Sequence, residues 1–310
     1  MYRFRQIVSI IIVSTGLSFS KVNSDSARDA QNVDPQRWKL SLNANLLLTL
    51  NTYSDNWQGS ESGTITWISQ LNAAAQKQLL TWLQNQNKLK LAFGETYVRD
   101  TTNEEWEEPQ KTTDLIDVES RLHFTLGGLV DPFASVRMIS QFLDKRDTLD
   151  DLYVNPIELT ESFGGAVDIL DGENTTWTVR AGGALRQRIS RGTPAGNTLF
   201  TNRGGLDLNT EFETSVFSGL IDFSSFLTVY QAVVRLSEDG ETEEGVINEE
   251  YWNYPDMNWE NTLTVNVAKY VMLNAYVQLL YDRELVSGVR FKQTFSFGLT
   301  YKLARGKEKK

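Results

Sequence analysis

The chain contains no cysteine and a single histidine among its 310 residues. Without cysteine there is no disulfide framework and no thiolate metal site. An oxidising compartment stays open to it, because a chain without thiols cannot mispair there. The lone imidazole, His123, leaves one candidate for histidine acid–base chemistry. Basic residues are in the minority, 30 against 40 acids, for a net charge of −10. That balance lacks the basic footprint of a nucleic-acid binder. Gly/Pro-rich tracts and repeats are missing too, and 40% hydrophobic with 23% charged residues is not the composition of a disordered chain. Beyond the first twenty residues no stretch approaches the ~18 apolar positions of a spanning helix. A chain of this kind crosses a membrane only as a closed barrel, in which every backbone group finds a partner.

What is present begins at the N-terminus. Arg3 and Arg5 precede an apolar stretch from Ile7 to Leu17, and Ser18-Phe19-Ser20 places small residues where a signal peptidase reads. Residues 1–20 therefore read as a secretory signal peptide, with an interfacial anchor helix as the alternative. Cleavage after Ser20 removes two arginines and no acid, taking the net charge from −10 to −12. Residues 21–37 are polar and aperiodic, a flexible periplasmic leader, and 305–310 form a polar C-terminal tail.

Between these ends the chain alternates. Trp38, Leu40, Leu42, Ala44, Leu46, Leu48 and Leu50 fall on one face, and Lys39, Ser41, Asn43, Asn45, Thr49 and Asn51 on the other, with Leu47 out of phase. Period two over such a length is a strand with one apolar and one polar face. The pattern recurs to Leu303 and predicts strands near 38–53, 63–76, 80–99, 111–127, 132–144, 157–170, 175–188, 203–217, 223–236, 258–269, 272–284 and 289–304. Residues 70–88 have helical composition, yet alternation on both sides favours strand, turn, strand. Tight turns at Gly127-Gly128, Asp171 to Asn174, Ser218-Gly219 and Tyr270-Val271 alternate with longer polar connections at 100–110, 145–156, 189–202 and 237–257. An even strand count with short and long connections in alternation predicts an all-β fold: a transmembrane, antiparallel, up-and-down β-barrel of about twelve strands over 38–304.

Alternation does not say which face is outside. Strand length beyond the ~9–11 residues needed to cross a bilayer is the first argument for an apolar exterior. Ionised groups on the polar face form the second: Glu119, Arg121, His123, Glu158, Asp168, Arg180, Arg186, Arg188, Glu211 and Glu213 are candidate lumen-lining residues. Trp38, Trp67, Trp82, Trp177, Trp252, Trp259 and Tyr301 near strand ends are candidates for interfacial girdles. The expected location is the outer membrane of a Gram-negative bacterium, with lipid as the surrounding partner and the barrel-assembly machinery acting during biogenesis.

The run Leu42-Asn43-Ala44-Asn45, then Tyr53-Ser54-Asp55-Asn56-Trp57-Gln58-Gly59 and Gly63, resembles the opening motif of a bacterial outer-membrane family known only as domain of unknown function 3078. Lys111-Thr112-Thr113-Asp114 is similar to that family's lead-in to its fourth strand. The resemblance covers roughly residues 38–170. It departs where the family tends to a glycine pair and this chain has Gly59 alone. It implies an outer-membrane barrel and no activity, so no site residue is carried over.

Chemistry is sparse. His123 stands two and four residues from Arg121 and Glu119 on the polar face, without a Gly-x-Ser-x-Gly or comparable motif. An expected mid-strand position makes it a hydrogen-bonded lumen residue rather than a base at a rim. Acidic groups gather around Trp106 (Glu104, Glu105, Glu107, Glu108) and over 238–250, where seven carboxylates occur with no base. Neither has the spacing of a calcium loop, and a solvated outer loop is the simpler reading. No metal or cofactor motif is recognised. The expected function is a non-enzymatic barrel, either a narrow channel for small polar solutes or a structural barrel with a plugged lumen. A hydrolase using His123 and an adhesion barrel working through its acidic loops are the alternatives.

Overall fold

The computed structural model describes residues 38–51, 63–99, 105–145, 151–191, 198–239, 251–284, 286 and 288–305. The expected signal peptide and leader, Trp57 with Gly59, Glu104, most of the 238–250 run and residues 306–310 lie outside the described residues.

Among the described residues fourteen strands follow in order: β1 (Lys39–Asn51), β2 (Thr64–Leu80), β3 (Leu83–Val98), β4 (Gln110–Phe124), β5 (Asp131–Ser140), β6 (Leu143–Asp144), β7 (Leu152–Tyr153), β8 (Ile157–Asp171), β9 (Thr175–Ser190), β10 (Leu199–Val216), β11 (Ile221–Asp239), β12 (Pro255–Ala268), β13 (Val271–Tyr281) and β14 (Val289–Arg305). Twelve of them form a closed antiparallel barrel in the order β1-β14-β13-β12-β11-β10-β9-β8-β5-β4-β3-β2. The remaining two, β6 and β7, pair with each other inside the β5–β8 connection. Closure runs from Leu40↔Arg305 to Leu48↔Phe297, joining the first and last strands. One end of the barrel carries short connections at 81–82, 125–130, 172–174, 217–220 and 269–270; the other carries the long ones. Lys39 and Arg305, the outer limits of the barrel, both lie at the turn end.

Several boundaries differ from expectation. The turn inside 70–88 falls at Thr81-Trp82 rather than at 77–79, because β2 stays paired with β3 out to Leu80↔Leu83. The fifth barrel strand stops at Ser140 instead of 144, since Leu143 and Asp144 turn away to pair with Tyr153 and Leu152. The connection expected at 189–202 shrinks to 191–198, as Leu199 already pairs with Ser190.

The polarity of the wall is inverted relative to a soluble protein. Asn43, Asn72, Thr66 and Thr264 are at most 2% exposed, while Phe163 and Phe295 are 70% and 69% exposed. Leu40, Leu46, Leu48 and Leu50 of β1 and Phe291, Phe295, Phe297, Leu299, Tyr301 and Leu303 of β14 all face outward, as strand alternation requires once one of them does. Water-filled surroundings do not favour such an exterior, for exposed apolar patches on soluble proteins rarely exceed a few hundred Å².

Leu47, the phase exception in β1, has a structural reason. It points inward and clusters with Ile68 and Met272, each 1% exposed. These residues share one row of the ladder, Ile68↔Leu47↔Gly298↔Met272, with Gly94 opposite Ile68. A Cβ at Gly298 would stand 2.5 Å from Leu47 Cδ2, and one at Gly94 would stand 2.6 Å from Ile68 Cγ1. The two glycines make room for the two large side chains, and the lumen gains a small apolar anchor in an otherwise polar wall.

Candidate functional site

The inward positions of β3, β4, β5, β9 and β10 carry most of the charge, and contacts between strands that are not neighbours locate it in the lumen. Arg180 of β9 donates to Glu119 of β4 at 2.9 Å. Lys88 of β3 pairs with Glu211 of β10, five places away around the barrel. Lys90 of β3 and Arg137 of β5 lie 5.1 and 5.5 Å from the ring centre of Phe226 on β11. Arg180 also stacks over Phe133, 5.6 Å from its centre. Arg137 clasps Asp117 on neighbouring β4 with two hydrogen bonds of 2.9 and 2.8 Å. Such contacts bridge the lumen, so it is not an open pipe at this level.

Of the ten expected lumen residues, Glu119, Arg121, Arg180 and Glu211 come together in this layer. Arg121 donates to Gln86, with Nε at 3.1 Å. Glu213 lines the cavity beside the layer. Arg186 and Glu158 meet 3.5 Å apart nearer the loop end, where Arg186 also donates to Asp256 at 2.8 Å and covers the Tyr230 ring at 3.7 Å. Arg188 is registered with Glu158 and Thr201. Asp168 accepts from Thr178 at 2.6 Å. Arg180 reaches past its neighbouring strands β8 and β10 to its direct partner, Glu119 of β4.

His123 also requires correction. It is not mid-strand but next to last in β4, close to the turn end. Its Nε2 stands 3.6 Å from Asp131 Oδ2 and makes no hydrogen bond. Glu119 and Arg121 take other partners, which leaves the histidine outside the network rather than hydrogen-bonded within it.

Outside the lumen, Trp38, Trp82, Trp177 and Tyr301 ring the turn end, and Trp67 and Trp259 the loop end. The indole N–H of Trp177 donates to Thr210 and that of Trp259 to Ser225, at 2.9 and 3.0 Å, so both polar tips are satisfied from neighbouring strands. Trp252 does not join them. It packs against the cluster of Ala184, Tyr230 and Ala232, because residues 251–254 fold against the loop-end wall. There Arg283 covers the rings of Tyr251 and Tyr254 at 4.1 and 4.4 Å, and Arg203 pairs with Glu284.

Sequence reasoning missed Lys88, Lys90, Asp117, Arg137, Phe133 and Phe226. The two aromatics had a signal, since each sits in the polar phase of its strand as Leu47 does.

The profile of DUF3078, a protein family of unknown function, matches residues 48–145. No curated protein matches the chain by sequence. Among solved structures the chain is similar to the COG4313 outer membrane channel of Pseudomonas putida F1, at 14% identity over 86% of this chain and 95% of that one, with a TM-score of 0.46. It is also similar to the translocator domain of the autotransporter NalP from Neisseria meningitidis (11% identity, 89% and 91% covered, TM-score 0.36). A third is OprB of Pseudomonas putida (8% identity, 86% and 94% covered, TM-score 0.27).

Proposed function

We propose that the protein is an outer-membrane barrel that passes small polar solutes through a lumen throttled by cross-lumen ion pairs. The observation that carries this reading is the inverted wall: apolar residues such as Phe295 outside, and Asn43, Asn72 and paired charges inside. A closed barrel with an apolar exterior and aromatic girdles is suited to lipid on all sides, and its polar interior to water and solute. Twelve strands enclose less room than a 16–18-stranded porin. The Lys88–Glu211 and Arg180–Glu119 bridges reduce that room further. In this reading the periplasm lies at the turn end, lipid is the constant partner, and the assembly machinery handles the chain only during insertion.

The test is single-channel recording of the refolded, signal-free protein in a planar bilayer. Discrete steps of low conductance are expected. A barrel that migrates as folded but never conducts would instead make the ion-pair layer a permanent plug.

A further inference from the structure

The loop-end mouth contains an unfavourable row. Arg186, Arg203 and Arg235 are register partners on β9, β10 and β11, with Arg203 directly opposite each of the others. Like charges opposite one another in a ladder repel, and groups from farther round the barrel answer them. Asp256 of β12 meets Arg186 at 2.8 Å, and Glu284, from the connection after β13, pairs with Arg203. Arg235 lies 5.2 Å from the ring centre of Trp252. Strands β9 and β12 are three places apart, as are β10 and β13, so both ion pairs run across the mouth.

Trp252 is seated inside that mouth. It packs on Ala184, Tyr230 and Ala232. These share the strand phase of Arg180 and Phe226, whose contacts across the lumen mark that phase as inward. The seat is made of small residues: Ala184, Gly205 and Ala232 form one row over three strands. A Cβ at Gly205 would stand 2.9 Å from the Tyr230 ring, so only glycine leaves that ring its place. The chain on either side of the indole is tied down. Arg283 covers Tyr251 and Tyr254, whose rings meet edge to face at 5.3 Å, and Gln231 donates to the Asn253 carbonyl.

We infer that Trp252 sets the size limit for solutes entering from the loop side. Twelve strands leave a narrow interior, and an indole lodged on its inner wall, between two crossing ion pairs, fills room that a sugar-sized solute needs. This closure is separate from the ion-pair layer: Thr228 of β11 lies between the two, opposite Asn209, with Tyr230 on its loop side and Phe226, opposite Glu211, on the other. The inference rests on the channel reading for its purpose, and its test includes a readout that needs no ion flow.

The chain has no cysteine, so Thr228→Cys reports what arrives past the seat. The refolded Thr228→Cys barrel is treated with methyl methanethiosulfonate and with a glucose-bearing methanethiosulfonate, and conductance is recorded on the same preparation. Adding Trp252→Ala should speed modification by the glucose reagent about tenfold, an effect of about 1.4 kcal/mol on the barrier, and change the methyl reagent far less. Trp252→Phe keeps a ring on the seat and should fall between, so the comparison survives if the alanine variant does not refold. Trp67→Ala, which removes an indole from the outer girdle, should leave both rates unchanged. A starting protein modified as fast by the glucose reagent as by the methyl one overturns the closure, as does a rate indifferent to Trp252. Faster modification without conductance in either protein upholds the closure and removes the channel reading; conductance with modification indifferent to Trp252 does the reverse.

Discussion

Arg180 and Glu119 come from strands three places apart in the barrel wall, yet their side chains meet at 2.9 Å with only 4% and 13% of their surfaces exposed. An ion pair so enclosed is worth little against an apolar pair of the same volume, but a single member left behind is expensive.

Glu119→Ala should therefore destabilise the barrel by about 3–5 kcal/mol, by stranding the Arg180 guanidinium. The pair replaced together, Glu119→Leu with Arg180→Met, should fall close to the parent. Urea unfolding in lipid vesicles, followed by tryptophan fluorescence, separates the two outcomes.

Lys88 and Glu211 form the longer bridge, and cutting it should open the lumen. Lys88→Ala and Glu211→Ala are each expected to raise single-channel conductance above the parent. If both variants conduct as the parent does, the bridge is not the constriction.

The glycine beneath Leu47 gives a steric test. Gly298→Ala would put a methyl 2.5 Å from Leu47 Cδ2 and 2.9 Å from the Leu46 carbonyl oxygen. A loss of about 1–3 kcal/mol is expected. Adding Leu47→Ala should restore part of it, because the side-chain clash disappears while the backbone contact stays.

Depth in the bilayer can be read from arginine substitutions. Phe295→Arg, on the outward face of β14, should cost about 2–4 kcal/mol if it lies near the midplane. Tyr301→Arg, six residues nearer the turn-end girdle, should cost about 0–1 kcal/mol. Equal costs at both positions would argue against a lipid-facing wall.

The strands were legible because alternation is written into each one separately. Trp38 to Leu50 declares its two faces with no help from the rest of the chain. The turn at Thr81-Trp82 was harder, since Gln78, Leu79 and Leu80 continue the strand without a glycine or proline to mark its end. Leu47 broke phase for a reason that lies partly on β2 and β13, where Ile68 and Met272 wait for it. The pairing across the lumen was out of reach. Periodicity places Arg180 and Glu119 on the inner face but does not say which strands look at each other across the space. His123 was misplaced for a smaller reason: the strand was drawn out to residue 127, so a residue near its end looked central.

The seam between β1 and β14 imposes an order on biogenesis. Leu40 finds its partner only when Arg305, near the far end of the chain, has arrived. Until then both edges offer unpaired amides to any neighbouring strand, and the waiting time is set by the longest separation in the molecule. A chain cut after Ser296 would lose all nine β1–β14 pairs while keeping most of its hairpins, leaving an adhesive sheet where a sealed cylinder was due.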